Sequence, residues 1–178
     1  PQVILDEGLL AAMNEVGVKF KNNEMFVPEV LVTARAMNMG IEILKPLLGA
    51  EGMADKGVAI IGTVKGDLHD IGKNLVKMMI EGKGIKVVDI GVDVPAAAFY
   101  EAAMEHAADV VCCSALLTTT MSQFQNIVDY MNEKGVRDKF KIMIGGAPVT
   151  QAYCDTVGAD CYTPDAASAA EAAMAFCS

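Results

Sequence analysis

The chain has 178 residues, enough for one ordinary domain or for one domain with a short accessory segment. Hydrophobic residues make up 53% and charged residues 21%, which excludes a disordered chain, and no apolar run approaches the length of a membrane span. Lys and Arg number 14 against 23 Asp and Glu, giving a formal net charge of −9 that argues against binding to nucleic acid or to anionic membranes.

The 5 cysteines predict neither a disulfide framework nor a zinc site. Their number is odd, no two have Cys-x-x-Cys spacing, and Cys112 and Cys113 lie inside an apolar run. We therefore expect reduced thiols in a cytoplasmic protein.

Residues 1–52 predict a pair of helices. One apolar face recurs at steps of three or four residues: Leu5, Leu9, Met13, Val16 and Phe20. Asn22 and Asn23 interrupt this pattern, and Pro28 suits the first turn of a second helix, which Gly49 and Gly52 would end. The apolar face expected for the second helix is Leu31, Ala34, Met37, Ile41, Leu44 and Leu48. Two helices cannot bury these faces alone, so we expect them to pack on the rest of the chain, on a partner or on further helices.

Residues 53–178 predict an α/β domain. Short apolar strands are expected at 58–61, 86–90, 109–113, 141–144 and, weakly, 160–162, and they alternate with helices near 71–80, 95–106 and 122–134, from 149 onward, and at the Ala-rich end of the chain. Fully apolar strands that alternate with helices predict a doubly wound, five-stranded parallel sheet covered on both faces. Ligands of such folds bind beyond the carboxyl ends of the strands, so functional residues are expected in the loops after strands one, three and four.

The loop after the first strand, Gly62–Asn74, is long for a strand-to-helix connection. The segment Gly66–Lys73 faintly resembles a phosphate-binding loop, but five residues separate its glycines where four are needed, and Asn74 stands where Ser or Thr would hold magnesium. Asp67 and Asp70 would also repel phosphates. Taken alone, either aspartate could simply cap the following helix.

His69 is a candidate metal ligand in the same loop. A neutral imidazole ligates transition metals, and its second nitrogen needs an acceptor, which Asp67 can supply from two residues away. One histidine is too few ligands for zinc. It is enough for a metal that a macrocycle already holds, which leaves haem or a corrinoid.

Three motifs, in this order at successive strand ends, resemble those of cobalamin-binding domains: Asp67-x-His69-x-x-Gly72, Ser114-x-Leu116 and Gly145-Gly146. Residues 20–28 look like the helical cap segment of methylcobalamin-binding proteins. The chain as a whole is similar to the corrinoid proteins of methylamine and methanol methyl transfer and to the cobalamin module of methionine synthase. The resemblance implies a flavodoxin-like cobalamin-binding domain at 53–178, preceded by a partial helical cap at 1–52.

The resemblance also implies roles for three residues below the cobalt. His69 would be the lower axial ligand, replacing the benzimidazole of the cofactor. Asp67 would hold the far nitrogen of His69, and Thr120, where the family usually has Ser, would donate to Asp67. Loss of the His69 bond would then accompany protonation of the His–Asp pair.

The displaced nucleotide tail is expected in a slot between the sheet and a helix. Ser114 and Thr118 could hydrogen-bond the tail, Gly145 and Gly146 would let it pass close to the backbone, and Ala166, in the loop after the last strand, would be a further contact. Other cofactor contacts implied by the motifs are Gly66, Leu68, Asp70, Gly72 and Leu116.

Phe20, Val27 and Val30 are expected by the same resemblance to lie over the cobalt-bound methyl group, although each could equally be core of the helical pair. Because the cap of the family is typically a four-helix bundle, we expect further helical sequence upstream. The connection Gly49–Gly57 is the expected hinge between cap and domain.

The function implied is that of a methyl-carrying corrinoid protein. Its expected partners are a donor methyltransferase of the methylamine, betaine or methanol type, an acceptor methyltransferase acting on a thiol or on tetrahydrofolate, and a reductive activase. The chain should not turn over alone. Two alternatives stay open: an adenosylcobalamin-binding sensor, which would need an output domain, and the small subunit of a cobalamin-dependent mutase, which usually lacks the preceding cap.

Overall fold

The computed structural model describes residues 1–52 and 56–177. A π-helix, Ile4–Leu10, continues directly into α1, Ala11–Lys21, and α2 spans Val27–Gly52. The predicted break between the helices is confirmed at Asn23, whose φ of +60° lies in the left-handed region that Asn tolerates better than most residues. Glu29 accepts a hydrogen bond from the Phe26 amide at 2.8 Å and so satisfies a free N–H group where α2 begins.

The rest of the chain alternates strands and helices. The strands are β1 (Val58–Thr63), β2 (Lys86–Asp89), β3 (Val110–Ser114), β4 (Lys141–Gly145) and β5 (Cys161–Tyr162). The helices are α3 (Ile71–Glu81), α4 (Ala96–Glu105), α5 (Ser122–Glu133), α6 (Gln151–Val157) and α7 (Ala166–Phe176), with a short 3-10 turn at Arg137–Lys139. All strand pairs are parallel, in the order β2-β1-β3-β4-β5. The predicted doubly wound five-stranded fold is confirmed, and its connections change direction between β1 and β3, where ligands of such folds bind.

Each central strand contributes side chains to two separate cores, because successive residues point to opposite faces of a sheet. On one face, Ile60, Val111 and Ile142 belong to a core that includes Phe99 of α4 and Phe124 of α5. The other face carries a row of residues paired in register across β1, β3 and β4: Ile61, Cys112 and Met143. This second face lies beneath α3 and α7 and the N-terminal helices.

The N-terminal helices pack on the α/β domain. Met13 and Val16 of α1 and Val30 of α2 share one buried core with side chains of α3 and α7. The face predicted for α2 was wrong at Leu31, which is 40% exposed, because the buried stripe starts one residue earlier, at Val30. The residues of that stripe are Val30, Ala34, Met37 and Leu44.

The predicted hinge, Gly49–Gly57, includes residues 53–55, which lie outside the described part of the chain. Within residues 1–52 and 56–177, no helix combines the length and the apolarity that crossing a bilayer requires.

Candidate functional site

The loop between β1 and α3 starts with a tight turn. The Asp67 amide donates to the Val64 carbonyl at 3.1 Å, and Gly66 has a φ of +83°, which favours glycine. Gly66 therefore has a conformational role in the turn, and it is not among the residues that line the cavity described below.

The buried carboxylate of Asp67 joins this loop to the loop after β3. Its Oδ1 accepts the His69 amide at 3.1 Å and lies 2.6 Å from His69 Nδ1. Its Oδ2 accepts the amides of Leu116 and Leu117, at 2.7 and 3.1 Å, and the hydroxyl of Thr120 at 2.9 Å. The hydrogen bonds expected from His69 and Thr120 to Asp67 are thus present, and five donor groups surround one carboxylate.

These donors set the ionisation of the site. Burial by itself would raise the pKa of Asp67, but the hydrogen bonds from the His69 ring and from the His69, Leu116 and Leu117 amides outweigh it and hold that pKa below its usual range. An ionised carboxylate only accepts hydrogen bonds, so the proton between the two side chains lies on His69 Nδ1. This leaves Nε2 as the ring nitrogen that can bind a metal.

Further contacts fix the position of His69. Its carbonyl accepts the hydroxyl of Thr63, a fully buried residue at the end of β1, at 2.8 Å. The His69 side chain is half exposed, whereas Asp67 beneath it is fully buried. The loop thus exposes one imidazole nitrogen, while hydrogen bonds to Thr63 and Asp67 hold the residue in place.

A cavity of about 680 Å³ opens beside His69 at the carboxyl edge of the sheet. The in-register row of Ile61, Cys112 and Met143 lines it from the sheet, and side chains of α3 and α7 line it from the helices. Ten of the residues predicted to contact the cofactor line this cavity: Phe20, Leu68, His69, Asp70, Gly72, Ser114, Leu116, Gly145, Gly146 and Ala166.

Other predicted contacts lie away from the cavity. Thr118 is exposed in the β3–α5 loop and is not part of the lining. Of the three cap residues, only Phe20 lines the cavity; Val27 is half-buried, and Val30 is wholly buried in the core shared with α3 and α7. Ala166 was placed wrongly in a loop, since it is the first residue of α7.

Gly145 and Gly146 lack a side chain for different structural reasons. A Cβ on Gly146 would lie 1.8 Å from the carbonyl oxygen of Ala115, and its φ is +134°. A Cβ on Gly145 would meet no atom within 4 Å, so the space beside Gly145 is open. Gly146 is thus required by the fold, and Gly145 leaves room at the cavity wall.

Several cavity residues were not predicted. The loop Thr163–Asp165, after β5, lines the cavity, and the rule that ligands bind beyond strand ends could have identified it. Lys73 also lines the cavity although it is buried, and its ammonium group is paired with the carboxylate of Asp89 at the end of β2. Cys112 is a neutral wall residue, because burial raises the pKa of its thiol to about 12.

The chemistry of the site suits a metal that arrives within a larger ligand. Among residues 1–52 and 56–177, no three His, Cys, Asp or Glu side chains are grouped so as to hold a bare metal ion. The site offers one imidazole nitrogen beside a cavity walled mainly by apolar side chains and by open backbone at Gly145. The fold and the site together are those of a protein that could hold a metal macrocycle, with His69 as the candidate ligand beside the cavity.

Comparison with known proteins identifies the family. The B12 binding domain family matches residues 57–176, and a second B12 binding domain family matches residues 1–45. The chain belongs to the B12-binding family, and its cofactor is a corrinoid, as predicted.

Relatives and solved structures agree with this assignment. The chain is 47% identical over 171 residues to the dimethylamine corrinoid protein of Methanosarcina barkeri, covering 95% of this chain and 80% of that protein. It is similar to a chain of the methanol:cobalamin methyltransferase complex of Methanosarcina barkeri, with a TM-score of 0.89 and 33% identity, over 99% of this chain and 67% of that one. It also resembles a cobalamin-binding protein from Desulfitobacterium hafniense, with a TM-score of 0.83 and 30% identity. That match covers 98% of this chain and 82% of the other chain.

Proposed function

We propose that this chain carries a methyl group on its corrinoid between a donor methyltransferase and an acceptor methyltransferase. The observation that carries the proposal is the pairing of His69 Nδ1 with Asp67 at 2.6 Å, beside a large cavity, in a chain of the B12-binding family. When bound, the corrinoid supplies the cobalt centre that accepts and gives up the methyl group.

His69 would hold the cobalt through Nε2. Asp67 accepts from Nδ1, so Nε2 is the nitrogen left to the metal, and the ring cannot turn over without breaking the 2.6 Å contact. Leu116, Leu117 and Thr120 hold the second oxygen of Asp67, so the orientation of His69 depends on the loop after β3 as well as on its own loop.

The same contacts refine the expected proton relay. Asp67 already accepts from five donors, which makes the carboxylate a poor place for an additional proton. The protonation expected of the His69–Asp67 pair would therefore not fall on Asp67, whose pKa lies below its usual range. The carboxylate thus stays ionised and remains the acceptor for Nδ1 of His69.

The cavity would hold the nucleotide tail. It lies between the sheet and helices α3 and α7, next to His69, and its wall includes Ser114 and Gly145 at the ends of β3 and β4. Ser114 could hydrogen-bond the tail, and the open space at Gly145 would let the tail approach the backbone.

Residues 1–52 would act as the cap of the domain at 53–178. Phe20 lines the cavity and α1 and α2 pack on the domain core, so access of a partner enzyme to the metal would require this segment to move. Leu68 and Ile71, beside His69, are 71% and 79% exposed and would be covered by the corrinoid or by a docked partner.

The relatives support one class of methyl donor for this proposal. Similarity to a dimethylamine corrinoid protein favours a methylamine, delivered by a dedicated methyltransferase. A thiol or tetrahydrofolate methyltransferase would be the acceptor, and a reductive activase would restore the active oxidation state of cobalt.

The proposal is tested by labelled methyl transfer. Apo chain is reconstituted with cobalamin, reduced, and incubated with deuterated dimethylamine and a purified dimethylamine methyltransferase. We expect label to remain with the chain after gel filtration, and to pass to a thiol only when an acceptor methyltransferase is added. Release of methylated thiol by the chain without either enzyme would contradict the carrier role, and so would failure to take up label from methylamine and methanol donor enzymes alike.

A further inference from the structure

The turn between β2 and α4 holds the loop that carries His69. The amide of Asp93 donates to the carbonyl oxygen of Asp67 at 3.0 Å. The carboxylate of Asp93 accepts the amide of Gly66 at 2.7 Å. One residue of a neighbouring loop therefore holds two residues of the turn that precedes His69, Gly66 and Asp67.

The position of Asp93 is itself fixed by backbone pairing that continues beyond the strands. The Thr63 amide donates to the Gly91 carbonyl, and the Val94 amide donates to the Thr63 carbonyl, both at 3.0 Å. Val64 and Val94 form an isolated parallel bridge, and Val94 is 5% exposed. Asp93 thus contacts Gly66 from a segment that backbone hydrogen bonds hold against the end of β1. Thr63, in the same pairing, also donates its hydroxyl to the His69 carbonyl.

The backbone of Asp93 explains why this residue suits its position. Its φ is +55°, a left-handed conformation that costs most residues free energy and that Asp and Asn tolerate best among residues with a side chain. Glycine would adopt the same backbone without strain but would offer no acceptor to the Gly66 amide. Asp and Asn combine the required φ with a side-chain oxygen.

We propose that Asp93 is a positioning residue for metal ligation: by clamping Gly66 and Asp67, it fixes the turn from which His69 would hold the metal of the corrinoid. This inference rests on the proposed corrinoid site. The side chain of Asp67 is held by the loop after β3, and its backbone by Asp93. Without the second clamp the turn gains freedom, and the orientation of His69 is less well determined.

Three variants separate positioning from stability. Asp93→Gly keeps the left-handed backbone and removes the acceptor, whereas Asp93→Asn keeps both the backbone preference and an acceptor oxygen. Ala107→Gly is the matched control, because Ala107 has a φ of +48° at the end of α4 and lies outside both loops. It changes backbone strain without touching the turn before His69.

Two measurements report on the proposal. In the apo chain, hydrogen exchange of the Gly66 amide should become about tenfold faster in Asp93→Gly, and should stay near the wild-type rate in Asp93→Asn and Ala107→Gly. In cobalamin-saturated protein, the absorption spectrum gives the ratio of histidine-ligated to unligated cobalt. That ratio should fall several-fold in Asp93→Gly and be restored in Asp93→Asn.

The outcomes are distinct. If the Gly66 amide of Asp93→Gly exchanges at the wild-type rate, the clamp is overturned. If that amide exchanges faster but the ratio of ligated to unligated cobalt is unchanged, the positioning role is overturned. An equal loss of ligation in Ala107→Gly would also overturn it, because the effect would then be one of general stability. A wild-type chain that takes up no cobalamin would contradict the proposed function, and the exchange measurement on apo protein would still decide the clamp.

Discussion

Asp67→Asn replaces the carboxylate at the centre of the site by an amide of nearly the same shape. Two donors, the amide and Nδ1 of His69, face one oxygen of Asp67, and three donors from the loop after β3 face the other. An amide has one oxygen and one NH₂ group, so in either orientation its NH₂ group faces donors. The His69 ring and the Thr120 hydroxyl can reorient to accept, but a backbone N–H cannot.

At least one partly buried backbone donor therefore loses its acceptor, and the remaining hydrogen bonds lose their charge. A buried donor without a partner costs about 1–3 kcal/mol, and hydrogen bonds to charged groups are stronger than neutral ones. We expect the free energy of unfolding of apo Asp67→Asn to fall by about 2–4 kcal/mol, measured by urea denaturation.

Asp70→Asn is the matched control, because Asp70 is an exposed carboxylate in the same loop whose side chain makes no capping hydrogen bond to α3. Its effect should stay within about 0.5 kcal/mol. A change of less than about 1 kcal/mol in Asp67→Asn would refute the claim that five donors depend on this carboxylate.

Three further predictions concern the same region. Thr120→Val removes one donor from Asp67 and should lower the free energy of unfolding of the apo chain in urea by about 1–2 kcal/mol, while Thr120→Ser should lower it less. Gly145→Ala should leave apo stability nearly unchanged but weaken cobalamin binding in a titration followed by absorbance, whereas Gly146→Ala should cost about 3 kcal/mol or more in urea, because its Cβ would strike a backbone carbonyl. Asp89→Asn should make the chain less stable at pH 7 and less sensitive to acid, measured as the urea midpoint from pH 6 to pH 3.

The sign of the last prediction follows from the pKa of Asp89. Burial alone would raise that pKa, but the hydrogen bond from Lys73 and the amide of Gly91 outweigh it, and the pKa lies below the usual value. Stability from Asp89 is therefore present above about pH 4, the unfolded value, and is lost as the pH falls through the lower folded value. Asp138→Asn, at an exposed carboxylate, is the control.

Each of these predictions would be contradicted by a specific result. Equal stability of Thr120→Val and Thr120→Ser would show that the hydroxyl contributes nothing. Equal apo stability of Gly145→Ala and Gly146→Ala would contradict the claim that only a Cβ on Gly146 strikes the backbone. An Asp89→Asn chain that loses as much stability in acid as the wild type would exclude Asp89 as the titrating group.

The sequence predicts the sheet well because the first four strands are short, mainly apolar runs that alternate with helical patterns. The helical bounds of α3, α4 and α5 agree with prediction to within two residues. The Asp67, His69 and Thr120 contacts could be predicted because a known motif specifies them at strand ends that must lie side by side.

Other features of the fold and the site depend on tertiary packing, which local sequence patterns do not predict. The buried stripe of α2 starts at Val30 because that residue meets the core formed with α3 and α7, and an amphipathic pattern alone does not distinguish it from Leu31. Thr118 and Ser114 are both polar residues near the end of β3, but only Ser114 lies on the wall of the cavity. Asp93 lies 24 residues after His69, and only the paired ends of β1 and β2 bring it to the same turn.

The most direct test is the absorption spectrum of cobalamin bound to the wild type and to His69→Gly, with His106→Gly, at the other of the 2 histidines, as the control. We predict a histidine-ligated spectrum for the wild type and for His106→Gly, and an unligated spectrum for His69→Gly in a chain that remains folded. Identical spectra for all three proteins would contradict axial ligation by His69.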